Sequence, residues 1–271
     1  MEIDLYELHG ELLDITKKIV TTCRENGLHC YLAWGSALGA VRHRNIIPWD
    51  DDIDLYLPFE DYRRFKEVFP KEGPYFYQDM KTDPVYFEAW GKIRKNGTTS
   101  MVQNLSFMDM NWGISADLFP LLEYDKPQMD TATLLKAKLL YLIARLPYCS
   151  LAGTSLPHKV LALFYRIIGQ KGREKLFDRL LNSVQRKGDY WVDIFSAPVY
   201  LVIPKKQLGQ GTLMPFGGFE APVPDDYDSY LRTAYGDDYM AVPPEDSEKR
   251  YFHSSSIVDC HRDFREYMTS R

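Results

Sequence analysis

Residues 33–65 read AWGSALGAVRHRNIIPWDDDIDLYLPFEDYRRF, and the acidic run inside them, Trp49 to Leu57, holds the densest chemistry of the chain. In an extended strand successive side chains face opposite sides. A strand over DIDLYLP therefore puts Asp52 and Asp54 on one face, with Asp50 in the same parity, while Ile53 and Leu55 take the other. Carboxylates held side by side on a rigid element repel one another, and a bound cation relieves that repulsion. Oxygen ligands of this hardness suit Mg²⁺ or Mn²⁺ better than zinc. A solvated acidic turn is the competing reading. The apolar residues interleaved with the acids weigh against it.

Upstream of the acids, Gly35-Ser36 closes an apolar run, HCYLAWGS, and opens a short helix, SALGAVRH. Free N–H groups and the helix dipole at such a start favour phosphate. A Gly-Ser helix start followed by an Asp-apolar-Asp strand has the order of a nucleotidyltransferase-type site, in which the loop holds phosphates and the strand holds metal.

Working outward, Leu8, Leu12, Ile15 and Ile19 recur at helical spacing, which predicts an amphipathic helix over about Leu5–Glu25 ended by Asn26-Gly27. A further helix is expected from Phe59 to Phe69. VYFEAWGKIR (85–94) and GISADLFPLL (113–122) read as strands, the second stopped by Pro120, and a strand is expected at VYLVIP. The glycine- and proline-rich GQGTLMPFGGFEAPVP reads as loop, and DDYDSYLRTAYG as helix. Between these blocks, residues 131–173 read as two apolar helices broken around Pro147 and Pro157, with a third helix over REKLFDRLLNSVQRKG. The expected fold class is α+β: a mixed β-sheet core flanked by helices, with a helical subdomain. The expected divisions are a catalytic core at 1–125, a helical subdomain at 126–190 and a segment returning to the core at 191–271.

The chain has 271 residues, 45% hydrophobic and 26% charged, which excludes a disordered or fibrous protein. Its formal net charge of -5 argues against a nucleic-acid binder. That charge is uneven. From Thr131 to Arg173 there is no acid and there are seven cations, which leaves -12 for the remainder. This basic, apolar stretch is either a helical hairpin packed on the core or a peripheral contact with an anionic membrane. The four cysteines have no C-x-x-C spacing, the start of the chain carries acids where a leader needs cations, and no segment is long and apolar enough for a span. A cytoplasmic protein is expected, peripheral at the inner face of the membrane only if the basic stretch is a lipid contact rather than a packed hairpin.

The whole of residues 33–65 resembles the signature of the LicD family, related to the fukutin-type transferases. KIRKNGTTS, GISADLFPLL and FEAPVPDDYDSYLRTAYGDDYMAVPP resemble its later blocks in order, so the likeness runs from about Leu32 to Pro244 and is poorest in the helical insert. The resemblance implies a nucleotidyltransferase-like core. It implies metal ligation and catalysis by Asp52, Asp54 and, from a neighbouring strand, Asp117, with Asp50 orienting metal or acceptor. In SADLFPLL a serine and an alanine precede the acid where relatives often carry bulkier apolar residues. Gly35, Ser36, Arg42, His43, Lys92 and Arg94 are the candidate phosphate or substrate contacts, and His253 falls where the family tends to place a histidine. His9, His29, His158 and His261 show no zinc-ligand spacing.

The reaction so implied moves a phosphoryl-linked alcohol, phosphocholine or similar, from a CDP-linked donor to a hydroxyl. The acceptor is a cell-surface glycan such as lipopolysaccharide or teichoic acid, or its lipid-linked precursor. Trp34, Trp49, Trp90, Trp112 and Tyr86 could build a cation-π cage for choline, or be core. Two other readings share the Gly-Ser and Asp-apolar-Asp logic: transfer of a nucleoside monophosphate from an NTP to a small molecule, and an inactive nucleotide-binding domain.

Overall fold

The computed structural model describes residues 4–196, 199–245, 247 and 256–269. His253 lies outside them. In chain order the elements are α1 (Leu5–Glu25), β1 (Tyr31–Leu32), α2 (Trp34–His43), β2 (Asp54–Pro58), α3 (Phe59–Val68), β3 (Tyr75–Gln78), β4 (Gly91–Lys95), β5 (Thr99–Val102) and β6 (Ser115–Tyr124). Then follow α4 (Thr131–Ala144), α5 (Leu146–Leu151), α6 (Leu156–Val184), β7 (Tyr190–Asp193), β8 (Leu201–Pro204), α7 (Lys205–Leu208), β9 (Thr212–Phe216), β10 (Phe219–Val223), α8 (Tyr227–Tyr235) and β11 (Ser256–Asp259). The fold is α+β.

The main sheet runs β1-β2-β6-β4-β3, and β7 and β8 extend it from the far half of β6. β6 is the organising strand. It pairs parallel with β2, antiparallel with β4 through its first half, and antiparallel with β7 through its second. The strand is not stopped at Pro120 but runs on to Tyr124. The N–H of Asp117 points at β2, donating to Ile53 O, so by alternation the nitrogen of Pro120 faces the other side. There β4 has ended opposite Leu118 and β7 begins only opposite Leu122, so the missing N–H deprives no neighbour.

Other departures have similarly local causes. The strand expected from Val85 begins at Gly91, because residues 85–90 leave the sheet, with Tyr86 and Phe87 dropping into a separate cluster with Met101, Met108, Met110, Trp112 and Phe264. The loop expected at 209–224 contains a hairpin, β9–β10, turned by Gly217-Gly218 at φ 53 and 90, the positive-φ pair that a two-residue hairpin turn requires. Pro147 and Pro157 do break the helices, but each sits in the first turn of the next one, so that 131–173 holds α4, α5 and the start of α6. α6 is two helical stretches meeting at Gly169, φ 65, and it ends at Val184. The expected third helix is its second stretch.

α1 lies where its pattern predicts. Leu8, Leu12, Ile15 and Ile19 are buried, Asp4 caps its start by accepting from the N–H groups of Tyr6 and Glu7, and Gly27 at φ 62 follows its end. It packs on β4, β6 and β10 and seals the sheet face opposite the carboxylates.

Candidate active site

The site is built on one rung of the sheet. The pairing registers set Asp54 of β2 opposite Asp117 of β6, and Asp117 opposite Lys92 of β4, so three ionisable side chains from three strands share one face. Lys92 Nζ lies 2.9 Å from Asp117 Oδ1 and 2.9 Å from Glu88 Oε2. The indole N–H of Trp90 donates to Asp117 Oδ2 at 2.8 Å, and Tyr86 Oη donates to Glu88 at 3.1 Å.

Asp52 and Asp50 are not in the strand, which begins at Asp54. They lie in the loop before it, where Asp50, Asp51 and Asp52 bring one oxygen each to within 4.8 Å of one another. Burial, reinforced by the charges of Asp52, Asp117 and Asp50, raises the Asp54 carboxyl well above the usual carboxylate range, and Lys92 only partly opposes this. Burial and the charge of Asp51 push Asp50 up to about 6. Asp117 is also raised, by burial, against the pull of Lys92. Burial alone would lower Lys92, yet Asp117 and Glu88 hold it above its ordinary value. Burial thus holds Asp54 and Asp117 above their ordinary values, neighbouring carboxylates add to this at Asp54, and the one lysine offsets it only in part. An all-oxygen donor set in that condition fits a hard divalent cation.

The start of α2 closes the other side. At Gly35 a Cβ would lie 2.8 Å from Asp50 Oδ2, so a side chain there would push that carboxylate aside. Ser36 is buried, and its Oγ accepts the N–H of Asp54 at 2.9 Å, which locks the helix start to the first residue of β2. Trp34, at φ 45, occupies the left-handed region that a bulky residue rarely adopts, and Tyr230 Oη accepts its N–H at 2.9 Å. Behind Tyr230 stand buried Tyr56 and Asp193, with Tyr56 Oη donating to Asp193 at 2.8 Å.

Gly35, Ser36, Asp50, Asp52, Asp54, Asp117 and Lys92 thus come together. Arg94 is buried deeper in the sheet, donating to Gln78 Oε1 and to Gly113 O. Arg42 and His43 sit at the far end of α2, about 10 Å along its axis from Gly35 by helical rise. Arg42 donates to the carbonyls of Tyr239 and Ala241 and to His43 Nε2, tying α2 to the chain after α8. The five aromatics do not form one cage: Tyr86 and Trp112 belong to the separate cluster, whereas Trp34, Trp49 and Trp90 pack on the main core.

Sequence reasoning missed Asp51, Glu88 and Tyr235 as members of the site. Glu88, Trp90 and Lys92 alternate at period two, a signal present in FEAWGK. Tyr235, 41% exposed, stacks edge-on to Trp34 at 6.4 Å. It arrives from α8, and local pattern carries no sign of it. A cavity of about 640 Å³ opens beside the rung rather than over it, between α3, β3 and the second stretch of α6, and Glu88 and Trp90 belong to both.

The family model for LicD/FKTN/FKRP, nucleotidyltransferase domain, matches residues 27–157, which span α2, the acidic loop and the whole Asp54–Asp117–Lys92 rung. Residues 27–157 form a LicD-family domain. The chain is similar over 263 residues, 22% identical, to the lipopolysaccharide cholinephosphotransferase LicD of Haemophilus influenzae, covering 92% of this chain and 96% of that protein. A shorter likeness, 42% identical over 50 residues, links it to the ribitol 5-phosphate transferase FKRP of Mus musculus and Homo sapiens, covering 18% of this chain and 10% of those proteins. The chain is an enzyme, a phosphotransferase.

Proposed function

We propose that the protein transfers a phosphoryl-linked alcohol, phosphocholine or ribitol phosphate in class, from a CDP-linked donor to a hydroxyl of a cell-surface glycan or its lipid-linked precursor, working in the cytoplasm at the inner face of the membrane. The observation that carries this reading is the shared rung of Asp54, Asp117 and Lys92 facing the Asp50–Asp52 loop beside the start of α2. The cholinephosphotransferase and ribitol phosphate transferase names of its relatives support the group transferred.

Asp52 and Asp54, joined by Asp50 or Asp117, would hold Mg²⁺ or Mn²⁺. Bound there, a divalent ion offsets charge on the donor pyrophosphate and on the leaving phosphate. The N–H groups at Gly35 and Ser36 meet a donor phosphate at the positive end of the α2 dipole. The acceptor oxygen attacks the phosphorus that bears the alcohol. The bond from that phosphorus to the bridging oxygen breaks, and CMP leaves with the electron pair. The acceptor proton goes to Asp50 or Asp117. Both oxygens of Asp117 are already engaged, by Lys92 and Trp90, which leaves Asp50 as the better placed base. Lys92 keeps Asp117 oriented, with Trp90 holding its second oxygen. The cavity that shares Trp90 and Glu88 with the rung is the natural side for the glycan, because its aromatic lining, with Tyr62, Phe76, Tyr77 and Phe177, suits the faces of sugar rings.

The test is a donor panel of CDP-choline, CDP-ribitol, CDP-glycerol and NTPs, with Mg²⁺, Mn²⁺ or chelator, and Asp52→Ala as control. Metal-dependent CMP release from one CDP-alcohol, lost in the variant, is the expected outcome. Pyrophosphate release from an NTP would overturn the donor assignment in favour of nucleotidyl transfer.

A further inference from the structure

We infer that α4 and the first stretch of α6 form a docking face for an anionic lipid surface. Helices packed on a core normally turn their apolar stripe inward. The first stretch of α6 packs Leu161, Tyr165 and Ile168 on the core and carries a second apolar stripe outward: Leu156, Val160, Leu163, Phe164 and Ile167 recur at helical spacing and are 75%, 60%, 59%, 40% and 75% exposed. α4 repeats the arrangement with Leu135, Leu139 and Leu142, at 58%, 41% and 40%. Past Gly169 the same helix behaves ordinarily, burying Phe177, Leu181 and Val184. In that second stretch Leu176, at 37%, is the one exposed large apolar side chain.

Charge names the occupant. No acid stands between Thr131 and Arg173. Of the seven cations in that stretch only Arg173 is buried, and Lys138, Lys159, Arg166 and Lys171 are exposed. Lys159 and Arg166 neighbour Val160 and Ile167 on α6. Apolar side chains flanked by Lys and Arg, with no carboxylate among them, match acyl chains beneath a layer of phosphate headgroups. A second copy docking through the same face would oppose like charges across a two-fold axis. No helix among the described residues is long and apolar enough to cross a membrane, so this face lies on the lipid rather than through it.

The inference does not rest on the transfer reaction: flotation without CMP release, or the reverse, separates the two. The test floats the full chain with vesicles of phosphatidylglycerol and phosphatidylcholine, or of phosphatidylcholine alone, at low and high salt. Expected are co-flotation with the anionic vesicles, weakening with salt, and a fall of roughly tenfold or more in partition for Leu163→Ser/Ile167→Ser and for Lys159→Glu/Arg166→Glu. Both double variants should melt at the temperature of the parent, because every changed side chain is in solvent. Absence of flotation, or flotation undiminished by both variants, would overturn the proposal. So would a stable dimer in sedimentation that Leu163→Ser/Ile167→Ser disperses while vesicles stay unbound.

Discussion

The Asp54–Asp117–Lys92 rung and the α4–α6 layer depart from ordinary burial in opposite directions. At the rung, ionisable groups are drawn into the protein, where burial raises the pKa of the Asp54 and Asp117 carboxyls and neighbouring acids add to the rise at Asp54. In the layer, leucine, valine and isoleucine are held in water at more than half their surface. Each arrangement costs folding free energy in the isolated chain, and each would become favourable on arrival of its proposed partner: a cation with a donor phosphate in one case, a lipid surface in the other. Sites where a chain gives up stability locally are where function is to be sought.

The largest expected effect breaks the first half of this comparison. Asp54→Asn removes a proposed cation ligand and should lower the transfer rate on the order of a thousandfold. It should also raise the melting temperature of the metal-free protein, because a carboxyl forced above its ordinary range is replaced by a neutral isostere. Rate and melting temperature moving in opposite directions mark a residue retained for function. A variant that lost both would mean that Asp54 is structural.

Arg173 stands between the two regions and yields the next effect. It is fully buried, and its guanidinium donates to the carbonyls of Pro84 and Tyr86, near the rung, and of Ile143 and Ala144, at the end of α4. Burial depresses its pKa to about 10, so it stays charged at neutral pH with neutral acceptors around it. Arg173→Met leaves several buried carbonyls unsatisfied and should cost about 3 kcal/mol in denaturant unfolding. A loss near zero would show that the helical layer is not fastened to the site through this residue.

Asp50 supplies a pH effect of about 2 kcal/mol, discounted for partial solvent screening. Its folded pKa, near 6, lies above the ordinary carboxylate value, so the folded state binds a proton more tightly than the unfolded state. The corresponding stability is present at about pH 4 and is lost as pH rises through about 6. In the metal-free protein Asp50→Asn should flatten that fall, and Mg²⁺ added to the parent should offset it. A parent whose stability rises over the same interval through this residue would contradict the assignment.

How much of this was legible in the sequence differs between the regions for the same physical reasons. Asp54 was readable from the alternation in DIDLYLP and α1 from the helical spacing of Leu8 to Ile19, whereas Asp117 and Lys92 came into view only through the resemblance of the later blocks to the LicD family. What joined them was not readable. The register that sets Lys92 against Asp117, the exit of residues 85–90 from the sheet, and the arrival of Tyr230 and Tyr235 from α8 are all long-range. Pro120 misled because its effect depends on whether a partner strand stands opposite, which local pattern cannot report. In the helical layer, composition gave charge and apolarity but not direction. Only the packed structure shows that Arg173 points inward and Ile167 outward on one helix.

That pair also gives the smallest expected effect and the sharpest form of the comparison. Ile167 is 75% exposed, so Ile167→Ser removes little buried surface and should change unfolding free energy by less than about 0.5 kcal/mol. Ordinarily a branched apolar residue in a helix of this composition would be core, and its loss to serine would cost several times more. A near-zero change therefore means that the side chain does no folding work in the lipid-free protein, and that its retention on the surface needs another reason. A loss of 2 kcal/mol or more in denaturant unfolding would instead mean that the first stretch of α6 folds back onto the core in solution, and the two regions would then obey one burial rule after all.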